Sequence, residues 1–413
     1  MFKQNKYIQV YEHESLFNRP NDSGNYLTKE QFDKLCQYND AHGNKYFTTR
    51  RNGVRFHQFV GVIQVGGITL EILPKTDNDL HTNWHHILLD MLTECKKIKR
   101  EFASSAKLRH RRNSLLDIYI QMFLQEVKGV LRKGLTKRYE RKRNQQKALR
   151  GKLLVSDHLI KNFIHKERFY TESTYYLSDN IYNQILKRCL GVITKLDCYN
   201  SYREDANKLM TYFYQVSDLS RVHSQVFQRL SFDRNNQYYE EGISIARLIL
   251  LNYSPDIRSG TTDLMALLFD MNKLWEEYIY RQLLKSRSGS YQVLPQLNDV
   301  FWQSNNYKRR IKPDIVIKDL DETIVIDTKW KIIDQAKPSD ADLKQIFAYN
   351  IYWNCAKSIL IYPRTRNSPD DSLGKYLKGM QTGHGCKVCF VNLIADNRLN
   401  EKIGLTIWEL ITE

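Results

Sequence analysis

Residues 311–331 read IKPDIVIKDLDETIVIDTKWK. Two segments rich in Ile and Val flank the polar stretch KDLDE, the signature of two strands joined by a turn. Side chains alternate across a strand, so Val325, Asp327 and Lys329 share one face. Ile324, Ile326, Thr328 and Trp330 share the other. An acid and a lysine therefore sit on one face at the end of an otherwise apolar strand. Asp314 begins the partner strand, directly after Pro313, and a hairpin can bring it beside Asp327.

Moving outward, the pattern predicts a helix over 262–284 and strands near 291–303, 311–318 and 322–330. A helix at 340–353, a strand at 358–363, a helix near 371–380 and a strand at 386–394 follow. That order is an α/β pattern. The upstream helix carries Glu276 and Glu277 amid an apolar stripe of Leu274, Tyr278 and Leu283. The downstream helix places Asp342, Gln345 and Tyr349 on one face. That row reads either as a site-facing edge or as a surface stripe.

The N-terminal 75 residues look β-rich with one helix. Residues 28–38 predict that helix, with Thr28 as N-cap and Gln31 completing a capping box. Asn52-Gly53 and Gly66-Gly67 mark hairpin turns, Pro74 ends the series, and a small meander or barrel fits. Residues 80–260 read as mostly helical, with helical periodicity from Leu115 to Arg138 and an amphipathic run over 180–197. The expected fold class is α+β multidomain. It comprises a β-rich domain over 1–76, a helical basic middle region over 77–261 and an α/β domain over 262–413.

The chain of 413 residues carries a formal net charge of +17. Between Lys96 and Arg168 there are 22 Lys and Arg against 6 Asp and Glu, a net of +16, so nearly all the excess lies there. Such an imbalance points to a polyanionic partner or an acidic protein face. No apolar run reaches the ~18–20 residues that a spanning helix needs. The start, MFKQNKYIQVYEHE, lacks a signal peptide's apolar core. Seven cysteines, an odd number, read as reduced thiols, so a cytoplasmic protein without a membrane role is expected. His384, Cys386 and Cys389 are one ligand short of a structural zinc site, and the cysteines, lying in an apolar strand, read as buried structural thiols.

Two strand-end carboxylates with an adjacent lysine are the equipment of metal-dependent phosphodiester hydrolysis. Carboxylates hold Mg²⁺ through hard oxygens. A bound metal activates water, and the lysine stabilises developing charge. Alone, the pattern also fits a strand-end acid paired with a nearby cation. Two other Pro-Asp pairs, at 255–256 and 369–370, lack the following acid-x-Lys.

Pro313-Asp314 … Asp327-Thr328-Lys329, with Glu276 before it and Gln345-x-x-x-Tyr349 after it, resembles the PD-(D/E)xK nuclease superfamily. More closely, the chain resembles the McrC family, the nuclease subunits of McrBC-type modified-cytosine restriction systems. VGVIQVGGITLEILPKT (60–76), LRGKLLV (149–155), YYLSDNIYNQILKRCL (175–190) and LLFDMNKLWEEYI (267–279) carry that likeness. VIDTKWK (325–331), DLKQIFAYNIY (342–352) and LIYP (360–363) extend it over most of the chain. The resemblance implies Asp314, Asp327 and Glu276 as metal ligands with the Thr328 carbonyl nearby. It implies Lys329 as catalytic lysine, Gln345 and Tyr349 as the motif after the core, and Mg²⁺ or Mn²⁺ as cofactor. It also implies a partner, a hexameric McrB-like AAA+ GTPase that binds GTP, recognises modified double-stranded DNA and translocates it. The N-terminal region would contact that motor and stimulate its GTPase. No G-x-x-x-x-G-K-[ST] stands in this chain, in keeping with GTP being bound elsewhere. The rival reading is a non-catalytic activator or DNA-bridging subunit.

Overall fold

The computed structural model describes residues 4–20, 24–74, 83–103, 115–196, 200–220, 222–254, 263–287, 289, 291–304, 307–319, 322–333, 337–355, 357–377 and 384–412. The chain divides into two compact units, one formed by Met1–Leu115 with Leu268–Glu413 and one by Leu116–Leu267. Among the described residues no helix is long and apolar enough to cross a membrane.

The first unit opens with β1 (Tyr7–Tyr11), β2 (Ser15–Phe17), α1 (Lys29–Ala41), β3 (Phe47–Arg50), β4 (Gly53–Phe56), β5 (Phe59–Val65), β6 (Ile68–Leu73) and α2 (Trp84–Glu94). The Thr28–Gln31 capping box forms as the sequence predicts. Asn52-Gly53 turns β3 into β4, and Gly66-Gly67 turns β5 into β6. The expected single meander or barrel does not form. β2, β4 and β3 make one sheet, while β1 pairs parallel with β6 in another. A parallel pair joins segments about sixty residues apart, and local turn signals do not report it.

In the second unit α3 (Leu115–Lys133) is followed by β7 (Arg138–Gln146), β8 (Lys152–Leu153), β9 (Phe169–Leu177), α4 (Ile181–Ile193) and α5 (Glu240–Leu251). The expected helical middle is thus interrupted by strands. β7 and β9 pair antiparallel over nine residues, Arg138 opposite Leu177 and Gln146 opposite Phe169. β7 reads RYERKRNQQ and is exposed along nearly its whole length, so it carries no apolar alternation to announce a strand. The basic run at 107–112 lies outside the described residues. Asn180 caps α4 by accepting from the Tyr182 and Asn183 amides.

β10 (Leu264–Asp270) leads into the rest of the first unit, where α6 (Met271–Lys285), β11 (Gln292–Pro295), β12 (Asp299–Ser304), β13 (Tyr307–Ile311), β14 (Ile315–Lys318) and β15 (Thr323–Thr328) follow. Then come α7 (Asp340–Trp353), β16 (Lys357–Pro363), β17 (Ser372–Lys375), β18 (Gly385–Val391) and α8 (Ile403–Thr412). The helix expected over 262–284 is strand, then helix: Asp270 stops the apolar run and caps α6 through the Asn272 amide. The strand expected over 291–303 breaks at Gln296, which takes φ +47°. The helix expected near 371–380 is instead the edge strand β17, antiparallel to β18. Residues 378–380 and the turn residues 320–321 lie outside the described set.

The six-stranded sheet runs β11-β14-β15-β16-β18-β17. β14 and β15 form the predicted hairpin, Ile315 opposite Ile326, and β15 continues parallel into β16 and β18. On one face Val316, Val325, Leu360 and Val388 pack with Ile346 and Tyr349 of α7. Against α6 lies Trp330, its ring 5.3 Å from that of Trp275. The Trp330 indole N–H donates to Glu12 Oε1 at 2.7 Å, so the segment after β1 is tied to the end of β15.

α8 crosses α6 so closely that a Cβ at Gly404 would stand 2.4 Å from the Gln282 carbonyl oxygen and 2.5 Å from Ser286 Oγ. Gly404→Ala is expected to lower stability by about 1–3 kcal/mol through forced separation of the helices. A denaturant melt of the two proteins measures this, and equal midpoints would contradict the packing.

Candidate active site

The site grows from the ends of β14 and β15. Register places Asp314 across the hairpin from Asp327, one step beyond the Ile315–Ile326 pair. Asp314 Oδ2 accepts from the Thr328 amide at 2.7 Å and from Thr328 Oγ1 at 3.0 Å. Its own carbonyl accepts from the Gln296 amide at 2.8 Å. Asp327 is 1% exposed. Lys329 follows it on the same face, with Nζ 2.6 Å from Asp327 Oδ2. Asp327 Oδ1 is buried and has no hydrogen-bond partner among the described residues.

α7 supplies the next layer. Lys329 Nζ donates to Gln345 Oε1 at 3.1 Å, and Gln345 Nε2 donates to Tyr349 Oη at 2.6 Å. Tyr349 Oη donates in turn to the Lys312 carbonyl at 2.8 Å. Lys312 stands two residues before Asp314, so the chain of bonds returns to the strand it began on. Asp342, expected on the same polar row, serves differently. It completes a capping box with Ser339, pairs with Lys331 and accepts from Tyr362 Oη.

α6 brings Glu276 and Glu277 to different ends. Glu277 pairs with Lys97 at 2.8 Å and Arg281 at 3.1 Å. Glu276 accepts from the Gln296 side chain and lies near Asp314. Gln296 therefore touches both acids, through its side chain and its amide. The sequence reading missed it, since a glutamine at a strand break has no distinguishing pattern. Its left-handed backbone is a strained geometry for a non-glycine residue.

Burial dominates the electrostatics. Desolvation, then the charge of Asp314, pushes Asp327 up to about 7 against the pull of Lys329. Burial also raises Asp314, against the Thr328 hydrogen bonds and Lys329. Glu276 is raised by burial and by Asp314. Burial opposes the charge on Lys329, yet Asp327 outweighs it and the ammonium is held above its usual range. Adjacent carboxylates, one with an oxygen lacking a donor, fit a hard divalent cation. Among the described residues no three His, Cys, Asp or Glu side chains converge as a metal-holding group. His384 bonds the Cys355 carbonyl, and Cys386 and Cys389 are buried.

A family model described as the McrBC 5-methylcytosine restriction system component matches residues 54–363. The chain belongs to the McrBC family. The matched span holds Glu276, Asp314, Asp327, Lys329, Gln345 and Tyr349. Over 230 residues the chain is 25% identical to the type IV methyl-directed restriction enzyme EcoKMcrBC of Escherichia coli strain K12. That alignment covers 53% of this chain and 65% of the relative's length. The fold is similar to a chain in the half-complex from a tetradecameric assembly of Thermococcus gammatolerans McrB AAA+ hexamers with bound McrC. The TM-score is 0.70 at 20% identity, covering 98% of this chain and all of that one. A chain of the T. gammatolerans McrBC complex solved by electron cryomicroscopy matches at TM-score 0.52 and 21% identity. It covers 68% of this chain and 87% of the other. At these identities the likeness is one of fold.

The raised carboxyls give a pH dependence of definite sign. A folded-state pKa above the unfolded value of ~3.9 means the native state holds the proton more tightly. That contribution is complete below pH ~4 and disappears as pH rises through about 7 for Asp327. With EDTA present, the thermal midpoint of the full chain is expected to fall between pH 5 and 8. Asp327→Asn, which keeps the neutral shape, should flatten the profile and melt several degrees higher at pH 8. A wild-type midpoint that rises over this window would contradict the burial of that charge.

Proposed function

We propose that this chain is the nuclease subunit of an McrBC-type restriction complex, a PD-(D/E)xK-type enzyme cleaving DNA phosphodiester bonds in a Mg²⁺-dependent reaction. The observation that carries the reading is the buried Asp327 beside Asp314, with Lys329 on the same face and an Asp327 oxygen left without a donor. Asp314 and Asp327 would hold the ion, with the Thr328 carbonyl and Glu276 at its margin. Bound there, the ion supplies a Lewis acid and lowers the pKa of an attacking water.

The protein's own groups then have defined tasks. Lys329 is held cationic by Asp327 and aimed by Gln345, so its ammonium faces the place where negative charge gathers on the phosphate. Tyr349 locks Gln345, and Gln296 keeps Glu276 next to Asp314. Membership of the family and the fold shared with McrC-bound assemblies support an AAA+ GTPase hexamer of the McrB type as partner. Recognition of modified DNA and GTP hydrolysis would belong to that partner. Residues 1–76 are the part proposed to engage it, 77–261 the basic middle region and 262–413 the nuclease domain.

Cleavage of methylated plasmid by the reconstituted complex with GTP and Mg²⁺ tests the reading. Asp314→Ala and Asp327→Ala are expected to abolish cutting. Lys329→Ala should reduce it by ~10²–10³-fold, the usual loss for a positioned electrostatic group. GTPase stimulation should persist in all three. Near wild-type cleavage by Asp327→Ala would sink the assignment. Loss of stimulation alone, with cutting retained, would favour the activator role.

A further inference from the structure

A groove of about 590 Å³ opens beside the candidate site, and none of its side chains has a role in the chemistry above except Glu276, Gln296 and Asp314 at one end. One helical face of α6 forms a wall, with Lys273, Glu276, Glu277, Tyr280 and Arg281 at the i, i+3, i+4, i+7 and i+8 positions. Phe59, Leu268 and Phe269 form the facing wall, and all three are only partly buried. Lys97 reaches in from the segment after α2 and shares Glu277 with Arg281. Pro295 and Gln296 close the end next to Asp314.

We infer that this groove is a nucleotide subsite, taking an unpaired base and its phosphate from the strand that is cut; the inference rests on the nuclease reading. Three observations select that occupant. Phe59, Phe269 and Tyr280 offer ring surface, and a base can lie on a ring only when it is out of its duplex stack. The exposed Lys273 supplies a cation on the α6 wall, and Lys97 and Arg281 share the single carboxylate of Glu277, so cations outnumber acids away from the site end, the complement of a phosphate. The groove is continuous with the carboxylates that would hold the metal, so a nucleotide lying in it sets its neighbouring phosphodiester over Asp314.

The charges are divided along the groove. Asp314 and Glu276 occupy the site end, while Glu277 is enclosed by two cations and Asp270 is engaged at the start of α6. A divalent ion at Asp314 would neutralise the acidic end and leave the cations to dominate. Oligonucleotide binding should therefore be stronger with a divalent ion than with EDTA. Stacking reads the π-face common to all bases, so the subsite should be tolerant of sequence. Discrimination of modified bases would then have to arise elsewhere.

The test is fluorescence anisotropy of fluorescein-labelled (dT)12 and of a 12-base-pair duplex with the full chain, using Ca²⁺ in place of Mg²⁺. The single strand is expected to bind more tightly than the duplex. Tyr280→Ala should weaken (dT)12 binding about tenfold. Lys273→Gln, a substitution at an exposed position that leaves the fold alone, should lessen the log–log salt slope by about 0.7. Absence of (dT)12 binding, preference for the duplex, or wild-type affinity and slope in both variants would overturn the subsite. Binding is read without cleavage, so the two readings fail separately. Tyr280→Ala binding normally while Asp327→Ala is dead removes the subsite alone. Asp327→Ala cutting normally removes the nuclease reading and leaves the binding result standing.

Discussion

Asp327 is a carboxylate buried beside a second carboxylate, with Lys329 against one oxygen and no donor, among the described residues, for the other. Burying such a charge is costly unless it is paired and hydrogen-bonded, and Asp314 makes the cost larger. The protein meets it in part by raising the proton affinity of Asp327 and in part by fixing Lys329. Neither measure gives the bare oxygen a donor. A structure selected for stability alone would place an apolar residue or an asparagine here, and this is what supports the proposed divalent-ion site.

The surrounding architecture exists to hold that unfavourable pair in place. β15 is apolar on both faces up to Ile326, and the parallel pairing continues to the Lys329 amide on the Ile361 carbonyl. Lys329 is therefore fixed at its backbone as well as at its ammonium. Trp330 points to the opposite face, lies tilted against Trp275 and is bonded to Glu12, which anchors the strand end against α6. The residues flanking the chemistry are thus the bulky ones: Trp330 follows Lys329, and Trp275 precedes Glu276.

The sequence discloses most of this where the controlling physics is local. The Ile/Val alternation over 311–331 carries the hairpin, the shared face of Asp327 and Lys329, and the approach of Asp314. Thr28 and Gln31 disclose their own helix start, and Gln345 and Tyr349 fall on the face that reaches Lys329. What escapes is set by distant contacts or hidden by polarity. β7 is a strand through its partner β9 and has no apolar side to show. Asp342 shares a helical face with Gln345, yet the lysine two residues after Lys329 engages it in a different pair. Gln296 is visible only once the break between β11 and β12 puts it against both acids. The division of 262–285 into strand and helix was readable at Asp270, but an unbroken apolar pattern on both sides concealed it.

The hydrogen bonds around the site form a closed circuit, and the closure matters more than any one bond. Asp314 is held by Thr328; Lys329, next in sequence, reaches Gln345; Gln345 reaches Tyr349; Tyr349 returns to the Lys312 carbonyl beside Asp314. Two like charges on neighbouring strand ends would relieve their repulsion by splaying the hairpin. Splaying moves Lys312 away from Tyr349 and Thr328 away from Asp314, so it breaks the circuit at two places at once. Linked bonds also polarise one another, which stiffens the loop beyond the sum of its parts. Tyr349 is 4% exposed and fills space under the sheet as well as closing the circuit. The same side chain therefore couples core packing to the spacing of the carboxylates, and that spacing decides whether an ion can sit between them.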